Sequence, residues 1–493
     1  MMMILRWNTT PTSVHVGRRI LSVGCRSMVV VPQVTSNRRF FPNNDDCHPT
    51  IISVASVSRR WYHELSYLER GDPAERLVYR SKSGFIPEPP PPPTTTTTTT
   101  TTTSATTDMD WILVELVTAP CNPADLNVVE GKYPSPHNNA DSNNEGQQQQ
   151  RLLPYATSYL EPEPCRVGGA EGLGRVLDIR RGSSSSSTIF TKNHVPPQET
   201  LSIGDAVVLA ESGWGSWRSH LWVPSSSVLR VPPEIMAQAE ANDKLNMAQV
   251  ALISQVAGTA YRLLQDFVTI RTGDVVLQNA GTSAVSMCVA ELLQWLHPES
   301  HLVSFVRRKD DEEEWPELVN LLTRNRTTHH TVFSEDTALA AADDSKQAWK
   351  EWKAANIPRG GRVVLGLNSV HGPLTSRLFF SLLSDDAKLI TYGAMSKQPL
   401  PVPAAPLIFR NVSVCGYWHS RWMITNRASK SFDGKCPRQV MMDDLCRAVL
   451  EGGLVLPPVH TVKLSQTSEG VQNMLDRVPI RPLRSKLVWD LSE

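Results

Sequence analysis

"GDVVLQNAG", residues 273–281, decides the architecture. It is a short apolar run ending in glycine. Behind it Ala284, Val285, Cys288, Val289, Leu292, Leu293 and Leu296 recur at helical spacing, so the stretch reads as strand, tight turn, helix. The pattern then repeats. "HLVSFVRR" (301–308), "HHTVFSE" (329–335), "GRVVLGLNSV" (361–370), "DDAKLITYGAM" (385–395) and "NVSVCGYW" (411–418) are strand-like, and helix-length segments separate most of them. Alternating β and α segments predict an α/β protein with a parallel, doubly wound sheet and its ligands at the carboxyl edge.

Upstream the rhythm differs. "RLVYR", "WILVELVT", "GRVLDI", "DAVVLAE" and "SHLWVP" are short β-type runs between about 58 and 245, separated by Gly, Pro and Asp. They predict a small antiparallel barrel. Residues 419–493 are expected to return to it, because the doubly wound sheet is complete without them. Polar tracts at 87–107, 135–150, 180–198 and 307–315 interrupt the pattern and hold too little apolar surface to offset their ordering entropy. The first three read as expanded loop tips of the β-rich region.

Composition excludes several classes. The 49 basic and 49 acidic side chains balance, so no global field points to nucleic acid or a membrane surface. No run approaches the ~18 apolar residues of a membrane helix. Eight scattered cysteines contain no CxxC, which argues against a zinc lobe or a disulfide framework and for a reducing compartment. The first 44 residues carry arginines at 6, 18, 19, 26, 38 and 39 and no Asp or Glu. That is the composition of an organellar presequence over 1–55, mitochondrial rather than plastid by its arginines; the alternative is a disordered tail.

The turn after the first parallel strand is "NAGTSAVS" (279–286). In a doubly wound sheet this turn holds a dinucleotide's pyrophosphate at a helix N-terminus. It is not GxGxxG, and by itself it is equally an ordinary strand–helix turn. The second strand sharpens the reading. An NAD site usually ends it with Asp or Glu, whereas this one ends Val306-Arg307-Arg308-Lys309. Cations there suit the 2′-phosphate of NADPH. The bland alternative is a solvated basic run balanced by Asp310 to Glu314.

In order along the chain, "RGDPAERLV" (70–78), "APCNPADLNVVEGKYP" (119–134), "VGGAEGLGRV" (167–176), "GWGSWRSH" (213–220), "GTAYRLLQDF" (258–267), "TYGAMSKQP" (391–399) and "GYWHSRW" (416–422) flank the cofactor motifs. On these segments the chain resembles the medium-chain dehydrogenase/reductases, and within them the mitochondrial trans-2-enoyl-CoA reductases. The likeness covers most of 64–493. It implies a GroES-like β-rich catalytic domain (58–246 and 419–493) and a Rossmann cofactor domain (247–418). It also implies NADPH-dependent reduction of a trans-2-enoyl thioester, carried on CoA or acyl carrier protein, in mitochondrial fatty acid synthesis, by a homodimer joined through its sixth parallel strands.

The resemblance carries residues as well. In zinc alcohol dehydrogenases the "VGGAEG" stretch holds a metal-binding histidine. Here Ala170 stands there, and the branch uses no metal. Its acid is a tyrosine, matched by Tyr133. A neutral phenol can donate a hydrogen bond to the developing enolate and deliver a proton; the alternative is a tyrosine packing a loop. Trp418 matches an aromatic beside nicotinamide and thioester; the alternative is a core or interface tryptophan. Asn122 and Asp125 fix the loop that carries Tyr133. The phosphate turn matches at Gly281, Thr282, Ser283, Ala284, Val285 and Ser286, and the adenosine side at Arg307, Arg308 and Lys309. The nicotinamide side matches at Tyr392, Gly393, Ala394 and Met395 and again at Tyr417, Trp418, His419 and Ser420. Lys486 matches a late lysine that reaches the cofactor region.

Two departures stand out. Val256-Ala257 replace the family's Asn-Pro before "GTAYR", which removes a polar cofactor contact. Ala284 and Ser286 replace glycines of the phosphate turn and narrow the backbone's approach to pyrophosphate. The rival readings are a quinone or alkenal reductase of the same superfamily, and a non-catalytic relative that uses the fold for binding.

Overall fold

The computed structural model describes residues 61–89, 110–133, 156–161, 165–182, 201–241, 245–307, 313–324, 329–427, 436–469 and 485–492. The presequence expected over 1–55, most of the polar tracts, and Arg308 and Lys309 lie outside the described residues.

The β-rich part contributes β1 (Trp61–Tyr67), α1 (Pro73–Arg76), β2 (Val78–Ser83), β3 (Trp111–Pro120), α2 (Pro123–Val129), β4 (Arg166–Val167), β5 (Leu173–Arg180), β6 (Ala206–Leu209), β7 (His220–Pro224) and β8 (Val228–Arg230). Then come α3 (Pro233–Ala241), α4 (Met247–Val250) and α5 (Gly258–Gln265). The alternating part runs β9 (Val275–Gln278), α6 (Ala284–Leu296), β10 (His301–Val306), α7 (Trp315–Thr323), β11 (His330–Ser334), α8 (Glu335–Asp344), α9 (Lys346–Asn356), β12 (Val363–Asn368), α10 (Pro373–Leu382), β13 (Lys388–Thr391), α11 (Ala404–Phe409) and β14 (Ser413–Gly416). The chain closes with α12 (His419–Thr425), α13 (Pro437–Leu450), β15 (Val459–Lys463) and β16 (Lys486–Asp490).

The expected parallel sheet is present. Its strand order is β11-β10-β9-β12-β13-β14, and every neighbouring pair is parallel. The order reverses between β9 and β12, which opens a crevice at their carboxyl ends. Strands covered on both faces read as continuous apolar runs. β12 is "VVLGLN" with every residue buried. One face of the sheet packs Val275, Phe305, Phe379 and Leu389, and the other packs Val276, Leu292 and Ile390.

The second sheet runs β15-β16-β3-β5-β6-β8, with β7 also on β3. Its pairs are antiparallel except β15–β16, which is parallel. Thus β16 returns to β3 and carries β15 on its far edge, whereas α13 lays Met441 and Leu445 into the core that holds Val276 and Leu292. β1 pairs with β2 and β4 in a small third sheet. Indole edges pack the β-rich core: Trp217 and Trp489 meet edge to face, and Trp217 Nε1 donates to Pro120 O at 3.0 Å.

Candidate active site

The carboxyl ends of the parallel strands and the facing end of the β-rich sheet enclose a cavity of about 960 Å³. Its walls include Tyr133, Trp418, Thr282, Ser283, Ala284, Val285, Arg307, Tyr392, Gly393, Met395, Tyr417, His419, Ser420 and Lys486. Residues read from distant parts of the sequence therefore share one space.

The acid side is built by β3 and α2. β3 ends at Pro120, and Asn122 caps the helix that follows. The Asn122 backbone N–H donates to Asp125 Oδ2 at 2.9 Å, and Pro123 at the first helical position has no N–H to leave unpaired. Gly131 turns the chain at φ 80°, and the Tyr133 N–H donates to Asn127 O at 3.1 Å. This aims the ring across the cavity, where the Tyr133 hydroxyl accepts from the Ala394 N–H at 3.2 Å. The phenol proton remains free to point at a ligand.

Behind Ala170 lies a carboxyl group that sequence reasoning passed over. Glu171 is fully buried, and its Oε1 accepts from Asn122 Nδ2 at 2.8 Å. Burial pushes its pKa up to about 7, against the opposing pull of Asn122 and Lys486. Burial likewise pushes Asp125 up to about 6, opposed by the Asn122 N–H and by Lys486. Two buried carboxyls thus face the lysine that β16 brings to the wall. A lone Glu in a run of small residues was the available signal.

The phosphate turn is held from beneath. Ser283 caps α6 and accepts from the Ser286 N–H at 3.2 Å. The Ser286 hydroxyl turns inward to Asn279 O at 3.2 Å, so Ser286 stays behind the lining. Asn279 Nδ2 donates to Asn368 Oδ1 at 2.7 Å and to Val370 O at 2.6 Å, which locks β9 to β12 at the crevice. Gly281 also stays behind the wall. A Cβ there would lie 2.9 Å from Val306 Cγ1, so glycine lets the turn close onto β10. The half-buried Tyr392 sends its hydroxyl among those of Ser286, Ser369 and Ser283.

On the third side, β14 delivers Tyr417, Trp418 and His419. Ser254 O sits 3.0 Å from His419 Nε2, so that nitrogen carries the proton. The Tyr417 hydroxyl therefore donates to Nδ1, at 2.7 Å. Burial lowers the pKa of His419 to about 4 and keeps the ring neutral, while burial raises that of Tyr417. Trp418 is 47% exposed at the rim and is no core residue.

Sequence reasoning missed Cys121, Gln255, Thr259 and Ser369 on the walls. Gln255 sits in a π-helical turn, Ile253–Ala257, and such turns re-aim side chains at functional sites. It gives a polar side chain to the stretch where Val256-Ala257 appeared to remove one. Ala394 contributes through its backbone N–H alone. Among the described residues no three His, Cys, Asp or Glu side chains gather as a metal site.

No protein-family model matches the chain. Curated relatives do. The mitochondrial enoyl-acyl-carrier-protein reductase of Xenopus tropicalis is 30% identical over 362 residues, covering 73% of this chain and 83% of that protein. The enzyme of the same name from Caenorhabditis elegans is 30% identical over 315 residues, covering 64% of this chain and 70% of that one.

The chain belongs to the mitochondrial enoyl-acyl-carrier-protein reductase family.

Solved structures agree with this family at the level of fold. A structure of Etr1p with NADP and crotonyl-CoA superposes at TM-score 0.61 with 23% identity, covering 87% of this chain and all of that one. The mitochondrial 2-enoyl thioester reductase Etr1p/Etr2p heterodimer of Candida tropicalis gives 0.60. A putative NADPH:quinone reductase from Bacillus thuringiensis gives 0.56 at 17% identity. Enoyl reductases and quinone reductases share this α/β architecture, so fold does not separate them; the sequence relatives do.

Proposed function

We propose that this protein reduces trans-2-enoyl thioesters to saturated acyl thioesters in the mitochondrion, with NADPH as reductant. The observation that carries this is the placement of Tyr133, Trp418, Arg307 and the capped start of α6 on the walls of one cavity. The residues present fit the cofactor. Arg307 offers a guanidinium at the end of β10, where a 2′-phosphate would lie. The N-terminus of α6, a helix of 13 residues, offers backbone N–H groups to pyrophosphate. Tyr392, Gly393 and Met395 line the nicotinamide side.

When bound, NADPH supplies a hydride to C3 of the enoyl group. The chain's own residues do the rest. Tyr133 accepts the Ala394 N–H and directs its proton toward the thioester oxygen, where negative charge develops; it then delivers or relays a proton to C2. Trp418 presents a flat face and an N–H donor at the rim. His419, held neutral between Tyr417 and Ser254, adds no charge beside the nicotinamide. Asn122, Asp125 and Glu171 keep the Tyr133 segment in place.

The acyl carrier is CoA or acyl carrier protein. The functional unit is a homodimer joined along β14. That strand is the outer edge of the parallel sheet, and Val414 together with Leu407, Ile408 and Phe409 of α11 is exposed beside it. An open strand edge beside exposed apolar side chains is a template for a second copy.

The test follows NADPH oxidation by the purified protein with trans-2-hexenoyl-CoA, and separately with a quinone. Rapid turnover of the thioester, lost in Tyr133→Phe, supports the proposal. Turnover of the quinone alone assigns the protein to the quinone reductases.

A further inference from the structure

Two lysines stand beside the rim of the cavity and have no place in the chemistry above. Lys132 directly precedes Tyr133, and Lys397 follows Met395, a wall residue, by two positions. Their side chains are 44% and 48% exposed. Both ammonium groups converge on one atom, Glu130 Oε2, which lies 2.6 Å from Lys132 Nζ and 3.5 Å from Lys397 Nζ. The backbone turns sharply on both sides of the pair. Lys397 adopts φ 57°, a left-handed conformation that L side chains disfavour, in a turn closed by its N–H donating to Ala394 O at 3.0 Å. On the other side Gly131 takes φ 80° with the Arg70 side chain packed over it.

Among the described residues the charge around this point is net positive. Lys132, Lys397 and Arg70 face Glu130 and, near Lys132, Asp72. The Lys132 ammonium lowers the pKa of Lys397, as expected of two cations sharing a single carboxylate oxygen. Each ammonium has three donors, and one carboxylate oxygen cannot use them all. A phosphate offers several acceptor oxygens in a compact group and is the natural partner for such a pair.

We propose that Lys132 and Lys397 form the subsite for the phosphate of the phosphopantetheine arm, the group that CoA and a carrier protein both attach to the thioester. The inference rests on the thioester-reductase reading and deepens it. The pair lies one residue from the acid on one side and two from the nicotinamide wall on the other. A phosphate held there would lie beside the rim while its arm enters past Met395 to Tyr133. Binding energy gained at this remote group can position the reacting carbons without touching them.

The test compares four trans-2-hexenoyl thioesters: N-acetylcysteamine, which has no phosphate, 4′-phosphopantetheine, CoA, and acyl carrier protein. In the Lys132→Gln, Lys397→Gln double variant, KM for the three phosphate-bearing thioesters should rise about tenfold with kcat held. KM for the N-acetylcysteamine thioester should stay within about twofold, and the Lys132→Arg, Lys397→Arg pair should restore the rest. An equal rise with all four thioesters overturns the subsite and makes the lysines structural. A rise with CoA alone moves them to the CoA nucleotide, and a rise with the carrier protein alone moves them to its surface; either outcome overturns the proposal. A wild-type protein inert toward all four removes the thioester reading, and this subsite with it.

Discussion

The Tyr133 hydroxyl and the Ala394 backbone N–H, 261 residues apart in sequence, meet at 3.2 Å. One belongs to the turn that follows α2 in the β-rich half and the other to the loop beyond β13. The phenol is therefore fixed by a donor that occupies its lone pair and leaves its proton for a ligand. Tyr133→Phe should lower kcat by about 10²-fold or more, the usual contribution of a positioned acid, with little change in NADPH affinity or melting temperature. Stopped-flow turnover and cofactor fluorescence titration check the two halves of this statement.

Arg307 is the described cation on the adenosine side of the cavity. A guanidinium pairs with a 2′-phosphate but gains nothing from a 2′-hydroxyl. Arg307→Ala should raise the KM for NADPH about tenfold or more and leave the KM for NADH nearly unchanged. Steady-state kinetics with both cofactors measures the ratio, and equal losses would remove Arg307 from specificity.

Glu171 gives a stability signature whose sign is fixed. Its carboxyl titrates at about 7 in the folded chain against an ordinary value of 4.5. Between these values the folded state holds a proton that the unfolded state has released. The contribution is thus fully present below the unfolded value and is lost as pH rises through about 7. Asp125, raised to about 6, acts in the same direction. His419, lowered to about 4, acts in the opposite direction, with its stability lost as pH falls from 6.5. The melting temperature of wild type minus that of Glu171→Gln should therefore decline between pH 5 and 7, and the difference isolates Glu171 from His419. A flat difference would show that the carboxyl is ionised throughout.

Gly258 begins α5 directly beneath His419. A Cβ at this position would lie 2.8 Å from His419 Nε2, the atom that donates to Ser254 O. Gly258→Ala should destabilise by about 1–3 kcal/mol, as overpacking does, and disturb the Tyr417–His419 pair at the cavity wall. Thermal melting and cofactor affinity should fall together.

Glu211, fully buried, holds the β-rich half to the helices after β14. Its Oε1 accepts from Arg427 Nε at 2.7 Å and from Arg438 Nη1 at 3.0 Å, and its Oε2 accepts from Ser227 Oγ at 3.2 Å. Removing this carboxylate leaves Arg438 buried with its charge uncompensated. Glu211→Ala should cost about 3–5 kcal/mol, and the Glu211→Ala, Arg438→Met pair less than the sum of its members. Chemical denaturation of the four proteins checks the coupling.

The parallel sheet was legible because its central strands are mostly apolar, and β9, β10 and β12 fall inside the runs read from sequence. β1 was not. "WYHELSY" carries His63 and Glu64, which speak against a buried strand, yet Glu64 is fully buried. The Tyr62 hydroxyl donates to its Oε2 at 2.8 Å, and Ser158 and the Tyr159 N–H complete its partners. Those last two lie far along the chain, and no local pattern announces them. The same reason hid Glu171, whose partner Asn122 stands on another element. The family resemblance named most of the wall residues; the polar groups that hold the walls in position depend on contacts between segments, which periodicity does not encode.

One edge of β3 is divided between two partners. β7 takes residues 111–115, and β16 takes Thr118, Ala119 and Pro120. β16 also carries Lys486 to the cavity. Because β16 lies more than 360 residues after β3 in sequence, a fold that lacks it leaves that part of the edge bare and the chamber without a wall. Completion of the sheet and completion of the chamber are then a single event. Until β16 docks, that stretch of β3 is an open edge and Lys486 has no fixed place.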